Sequence, residues 1–200
     1  MRNAVIDMQE YEIEFKNIVS KKEFDTLVHA FCLSDDDFII QCNLYFDTHS
    51  FTLKEKQSAL RIRNKQNKYQ LTLKEPYQKG LLETHQPLTK EQVQILVQNG
   101  QLPDGKVKEK IGDLHFTFLG ELNTKRAEIS YKNGLLVFDH STYLQCEDYE
   151  IEYEVSNFQK GKMIFLELLQ KFQIPKRETK NKIQRFFEKK LELESAEQKE

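Results

Sequence analysis

The chain has 200 residues, 31% of them charged and 38% hydrophobic, with a formal net charge of −2. That length suits one domain able to bury a real core, and the charge balance excludes both the basic excess of a nucleic-acid binder and the profile of a disordered acidic chain. No apolar run approaches a membrane span and the N-terminus lacks a signal peptide; three scattered cysteines, Cys32, Cys42 and Cys146, fit a reduced cytoplasmic compartment and lack metal-ligand spacing.

Met8 to Lys16 reads as a strand, with Glu10, Glu12, Glu14 and Lys16 on one face and Tyr11, Ile13 and Phe15 on the other. Ser20 with Glu23 three residues on is a capping box, opening a helix whose stripe is Phe24, Leu27, Val28 and Phe31. Asp35-Asp36-Asp37 marks a turn before a largely apolar strand from Phe38 to Asp47. Strands over Ser58 to Arg63 and Tyr69 to Lys74, parted by the polar turn Asn64 to Lys68, read as a hairpin, and Gly80 to Gln86 as a further strand. Thr89 with Gln92 opens a second helix that stops near Gly100, and Pro103 to Gly112 is a lysine-rich connection. Strands resume at Leu114 to Leu122, Thr124 to Tyr131, Leu135 to His140 and Tyr149 to Val155, with a tight hairpin turn at Asn133-Gly134. A third helix spans Phe158 to Phe172. A fourth runs from Thr179 and buries Ile183, Phe186 and Phe187 before a charged tail, Glu188 to Glu200, that is expected to fray. With no repeats and no dividing linker, the reading is one domain over residues 1–200.

About eight strands joined mainly by hairpins, with helices at both ends and one midway, argue for an α+β fold with an antiparallel sheet or barrel. If the helices cover the apolar strand faces, the charged faces turn inward and line a polar lumen; an eight-stranded barrel has room for little more than one small ligand. The acids that would converge are Glu12, Glu14, Asp139, Glu150 and Glu152, with Glu10 and Glu154 one step further along, and the bases are Lys16, Arg61, Arg63, Lys74, Arg126, Lys182 and Arg185. Clustered carboxylates are hard ligands suited to Mg²⁺ or Mn²⁺, while arginines grip phosphate oxygens in bidentate fashion and lysines act as point charges. A metal together with a polyanion satisfies both sets, and the chemistry that follows is metal-assisted phosphoryl hydrolysis or transfer. A single Glu-x-Glu-x-Lys strand is ordinarily a solvated face with cross-strand pairs; four such strands, ordered acid, base, base, acid, weigh against that reading. Glu83 and His85 share a strand face and could join the lumen, but a surface pairing is the expectation, and His115 and His140 read as ordinary strand-end histidines. No Ser-His-Asp set, nucleophilic cysteine or glycine-rich phosphate loop is visible.

These residues resemble the CYTH superfamily, the triphosphate tunnel metalloenzymes, and in particular its small bacterial single-domain members. The family's opening ExExK strand is matched by Glu12, Glu14 and Lys16, its paired-arginine strand by Leu60-Arg61-Ile62-Arg63, and its lysine strand by Leu71-Thr72-Leu73-Lys74. A later arginine is similar to Arg126, the aspartate to Asp139 and the C-terminal E-x-E to Glu150 and Glu152; the terminal Ser-Lys-x-x-Arg is similar to Asn181-Lys182-Ile183-Gln184-Arg185, with Asn181 where the family has serine. The resemblance spans about residues 8–189. It implies an eight-stranded antiparallel tunnel flanked by about four helices, with the basic residues on the phosphates, one or two metals on the glutamates and Asp139, and Glu12, Glu14 and Lys16 as the catalytic strand. It implies hydrolysis of the terminal phosphate of a small-molecule triphosphate, inorganic triphosphate for a chain with no extra surface for an RNA end. No stable nucleic-acid or membrane partner is expected, and the oligomeric state is left open. An adenylate cyclase, a non-catalytic binding module for nucleotides or polyphosphate, and an interaction domain with solvated strand faces are the alternatives.

Overall fold

In the computed structural model, which describes residues 8–197, eight strands close into a barrel in the order β1-β5-β4-β3-β2-β6-β7-β8. The strands are β1 Gln9–Val19, β2 Ile39–Asp47, β3 Ala59–Lys65, β4 Lys68–Tyr77, β5 Gly80–Leu88, β6 Thr117–Tyr131, β7 Gly134–Tyr143 and β8 Cys146–Val155. Four helices of substantial length accompany them: α1 Lys21–Ala30, α3 Lys90–Asn99, α5 Phe158–Lys171 and α6 Lys182–Glu197. Two short ones, α2 Thr52–Glu55 and α4 Lys106–Ile111, complete the set. No described helix is long and apolar enough to cross a membrane.

Contacts within the chain group into two compact units. The described part of Met1–Glu12 belongs with Asn43–Glu121, and Ile13–Cys42 belongs with Leu122–Glu200 as far as it is described. In the first, Leu60, Ile62, Leu71, Leu73 and Leu88 of β3 to β5 pack with Val93 and Leu96 of α3 and Val107 of α4. In the second, Ala127, Leu136, Phe138, Ile151 and Tyr153 of β6 to β8 pack with Phe24 and Leu27 of α1 and Phe165, Leu168 and Leu169 of α5. Each unit thus buries one face of its strands under helices, as period-two alternation allows. The residues left on the other face are mostly charged.

Both expected capping boxes form. Ser20 Oγ accepts from Glu23 N while Glu23 Oε2 accepts from Ser20 N at 2.6 Å, and Thr89 and Gln92 exchange the same pair at α3. Among the boundaries that differ from the sequence reading, four have a clear physical reason. Leu114 to Leu122 and Thr124 to Tyr131 are not two strands, because β6 runs unbroken from Thr117 and the ladder to β7 continues through Asn123↔Thr142 and Thr124↔Ser141. The lysine-rich connection contains α4, since Val107 is fully buried and its N–H reaches Gln86 Oε1 at 3.2 Å. The tail continues α6 to Glu197, the final three residues lying outside those described. The hairpin turn after β6 is centred on Lys132 and Asn133, both at positive φ (42° and 66°), so Gly134 follows it. That glycine is required by space: a Cβ there would lie 2.6 Å from Glu154 O.

Candidate active site

In the first unit the polar side of β3 to β5 presents Arg61, Arg63, Thr72, Lys74, Glu83 and His85, opposite the leucines under α3. Lys74 and Glu83 stand directly across the β4–β5 ladder. The Lys74 ammonium bridges Glu83 and Glu12, the latter at 3.0 Å. Burial raises the Glu12 carboxyl, Lys74 opposes that, and a hydrogen bond with Glu83 raises it further. Burial would raise Glu83 as well, but Lys74, the Glu12 hydrogen bond and Arg61 together bring it below the ordinary range. Of the two, Glu12 is therefore the one that takes up a proton first as pH falls. His85 is lowered by burial and by Arg61 and Lys74, against the opposing pull of Glu10, and its Nδ1 lies 3.0 Å from Thr72 Oγ1. The Arg63 Nε donates to Asn43 Oδ1 at 3.3 Å, and Arg61 Nε is buried without a hydrogen-bond partner. Glu83 and His85 are thus not a surface pair: the β4–β5 register sets Glu83 against Lys74, and it is 6% exposed.

The second unit holds the denser arrangement. Asp139 of β7 and Glu150 and Glu152 of β8 are 0%, 0% and 3% exposed. The Arg126 guanidinium forks onto Asp139 at 2.7 and 2.6 Å and reaches Glu152 at 2.7 Å. From the first turn of α6, Lys182 Nζ touches Asp139, Glu150 and Glu152 at 2.8, 2.7 and 2.6 Å. One helical turn on, Arg185 grips Asp148 through Nε at 2.8 Å and Nη2 at 3.2 Å, and Glu150 through Nη2 at 2.9 Å. On β1, Lys16 pairs with Glu14, which stands across from Glu154 as Lys16 stands across from Glu152.

These charges survive burial because they neutralise one another. Burial would raise Asp139 and Glu152, but Arg126 and Lys182 hold both carboxyls below the usual carboxylate range, Lys16 adding to the effect on Glu152. It would lower Lys182 and Lys16, yet Asp139, Glu150 and Glu152 raise the first and Glu14, Glu152 and Glu150 the second. Asp139, Glu152, Arg126, Lys182 and Lys16 are therefore charged at neutral pH. Asp139, Glu150 and Glu152 offer oxygens within 4.8 Å of one another, and Glu150 Oε1 is buried without a hydrogen-bond partner. Three hard oxygen donors at that spacing, one with an unused lone pair, fit a small divalent cation.

Sequence reasoning missed Asp148, although it continues the period-two face of Glu150, Glu152 and Glu154. It also flagged Asn181 as a departure from serine. In the structure Asn181 Oδ1 accepts from Gln184 N at 2.9 Å and Gln184 Oε1 from Asn181 N at 3.1 Å. Asparagine here does what a serine would do at a helix N-cap, so Lys182 keeps its place at the helix start.

A CYTH domain model matches residues 10–187. Over 187 residues the chain is 51% identical to YjbK of Bacillus subtilis (strain 168), named as a candidate triphosphatase, covering 91% of this chain and 97% of that one. A crystal structure of a Bacillus halodurans protein, titled a candidate adenylate cyclase, is 43% identical with a TM-score of 0.85, covering 90% of this chain and 99% of that one. A Hippeastrum protein shares the fold at 24% identity and a TM-score of 0.71, covering 90% of this chain and 95% of that one.

Proposed function

Because the chain belongs to the CYTH domain family, we propose that it is a divalent-metal-dependent hydrolase that removes the terminal phosphate of a triphosphate, with inorganic triphosphate as its substrate. The observation that carries this reading is the buried set of interleaved acids and bases on β6 to β8 and α6. Burying that many ions costs several kcal/mol each after relaxation, and hydrophobic residues of similar volume would serve stability as well or better. Their retention points to ligands of both signs.

The site is assigned as follows. Asp139, Glu150 and Glu152, with Glu12 and Glu14 of β1, hold Mg²⁺ or Mn²⁺. Arg61, Arg63, Lys74, Arg126, Lys182 and Arg185 bind phosphate oxygens, and Lys16 joins Glu12 and Glu14 as the catalytic strand. In each unit the strand members of this set stand on the face opposite the apolar residues that pack under helices, which supports the assignment. A bound divalent cation supplies Lewis acidity and neutralises developing charge. The chain's own residues exchange partners. Arg126, Lys182 and Arg185 now donate to carboxylates at 2.6 to 3.2 Å, and phosphate oxygens offer the same acceptor chemistry. Each cation that turns to phosphate frees a carboxylate oxygen for the metal, so no buried charge is left uncompensated. Three cysteines outside any disulfide suit a reducing, cytoplasmic setting.

Orthophosphate release from inorganic triphosphate in Mg²⁺ or Mn²⁺ tests the proposal. Glu12→Ala and Glu152→Ala should each abolish it, and activity retained in both would refute the metal assignment. The Bacillus halodurans relative, described as a candidate adenylate cyclase, motivates a second reading, nucleotidyl cyclisation. Incubation with ATP separates the two, since a cyclase yields cyclic AMP and pyrophosphate.

A further inference from the structure

Strand β1 changes partners along its length. Gln9–Glu12 pair with β5, whereas Ile13–Val19 pair with β8. Around Ile18 the edge turned away from β8 is covered by the connection between α5 and α6. Ile18 N donates to Thr179 Oγ1 at 2.8 Å, and Arg177 Nη1 donates to Ile18 O at 3.0 Å. Asn17 is fully buried; its Nδ2 donates to Pro175 O at 3.1 Å and its Oδ1 accepts from Arg177 N at 2.7 Å. The Arg177 guanidinium also forks onto Glu23 at 2.9 Å through each arm, and Glu23 is the acid of the α1 capping box.

An open strand edge needs partners for its buried backbone groups, but one hydroxyl or one water would suffice. Here two side chains of the connection, Arg177 and Thr179, bind the backbone of Ile18, the side chain of Asn17 binds the backbone of Pro175 and Arg177 in return, and α6 starts at Lys182, three residues beyond Thr179. We propose that Asn17, Arg177 and Thr179 form a clasp that sets where α6 delivers Lys182 and Arg185, making them positioning residues for phosphate binding. The inference rests on the reading of Lys182 and Arg185 as phosphate ligands.

Register explains why the anchor sits where it does. Lys16 and Ile18 stand across from Glu152 and Glu150, the acids that Lys182 bridges. Tying α6 to that stretch of β1 therefore references the helix to the strand pair bearing its partners. A lysine stem can follow a displaced helix, but the planar fork of Arg185 on Asp148 cannot.

The test uses the full chain with inorganic triphosphate and Mn²⁺. Thr179→Val keeps the shape and removes the acceptor for Ile18 N–H, and Thr179→Ser keeps the acceptor. Losing one net hydrogen bond should raise KM about three- to tenfold with kcat nearly unchanged. Amides in the first turns of α6 should exchange with deuterium faster, and Thr179→Ser should restore both values. Arg177→Met, at a side chain 35% exposed, repeats the test from the other side of the clasp should Thr179→Val not fold. Unchanged KM and unchanged α6 exchange would overturn the clasp, and so would a lower melting temperature with unchanged KM. If the wild-type chain hydrolyses no triphosphate, the function fails, while the exchange arm still decides whether these residues hold α6.

Discussion

Lys182 is the side chain on which the second unit's buried charge depends, since its one ammonium touches three carboxylates. Lys182→Met keeps the stem and strands Asp139, Glu150 and Glu152 with less positive charge. Breaking a buried ion pair from one side costs about 3–5 kcal/mol, so melting at pH 7 should fall by about 6–20 °C for a chain of this size. The pH dependence has a definite sign. In the wild type the depressed carboxyls of Asp139 and Glu152 add stability above the ordinary carboxylate range, and that stability is lost as pH falls through their folded values. In Lys182→Met the acids regain protons at higher pH, so the melting gap between the two proteins should narrow from pH 7 towards about pH 4. A gap independent of pH would show that lost packing, not charge, is responsible. Glu83 makes a parallel case in the first unit. With Glu83→Gln the like charge beside Glu12 disappears, so Glu12 should titrate lower and the acid limb of the activity profile should move down.

Secondary structure carries the next set of expectations. The Asn181–Gln184 box starts α6, so Asn181→Ala should cost about 1 kcal/mol and Asn181→Ser almost nothing, read from thermal unfolding. On α5, a Cβ at Gly161 would meet Val155 Cγ2 at 2.4 Å and Phe15 Cε2 at 2.9 Å. Gly161→Ala should therefore destabilise by about 1–3 kcal/mol despite its better helix propensity. Periodicity and caps made most elements legible, because each is a local signal. The strand of Glu12, Glu14 and Lys16, the hairpin through Asn67 and both capping boxes all lie where their residues point. What local signals lacked was register. The Asn133-Gly134 pair suggested a turn one residue late, since the space beside Tyr153 and Glu154 that demands glycine belongs to another strand. In the first turn of α4, Val107 N–H likewise finds its acceptor on Gln86, 21 residues away, where no local pattern points. Glu83 was misjudged for the same reason, its partner Lys74 being set by the β4–β5 ladder.

The closed barrel was legible as a consequence of alternating faces plus helices enough to cover the apolar one, but the way buried acids and bases grip one another was not. That mutual grip makes a prediction about ligands. A divalent cation alone must take carboxylate oxygens from Lys182 and Arg126 and leave them unpaired, and a triphosphate alone must do the converse to the acids. Only the two together replace every internal pair, so each ligand should bind weakly by itself. At about a hundred times its dissociation constant a ligand adds about 2.7 kcal/mol, which raises melting by about 5–10 °C for this size. Inorganic triphosphate with Mg²⁺ or Mn²⁺ should reach that shift, while either component alone at the same concentration should fall well short of it. If triphosphate alone gives the full rise, the carboxylates need no metal to release their cations, and the exchange of partners proposed for this site is wrong.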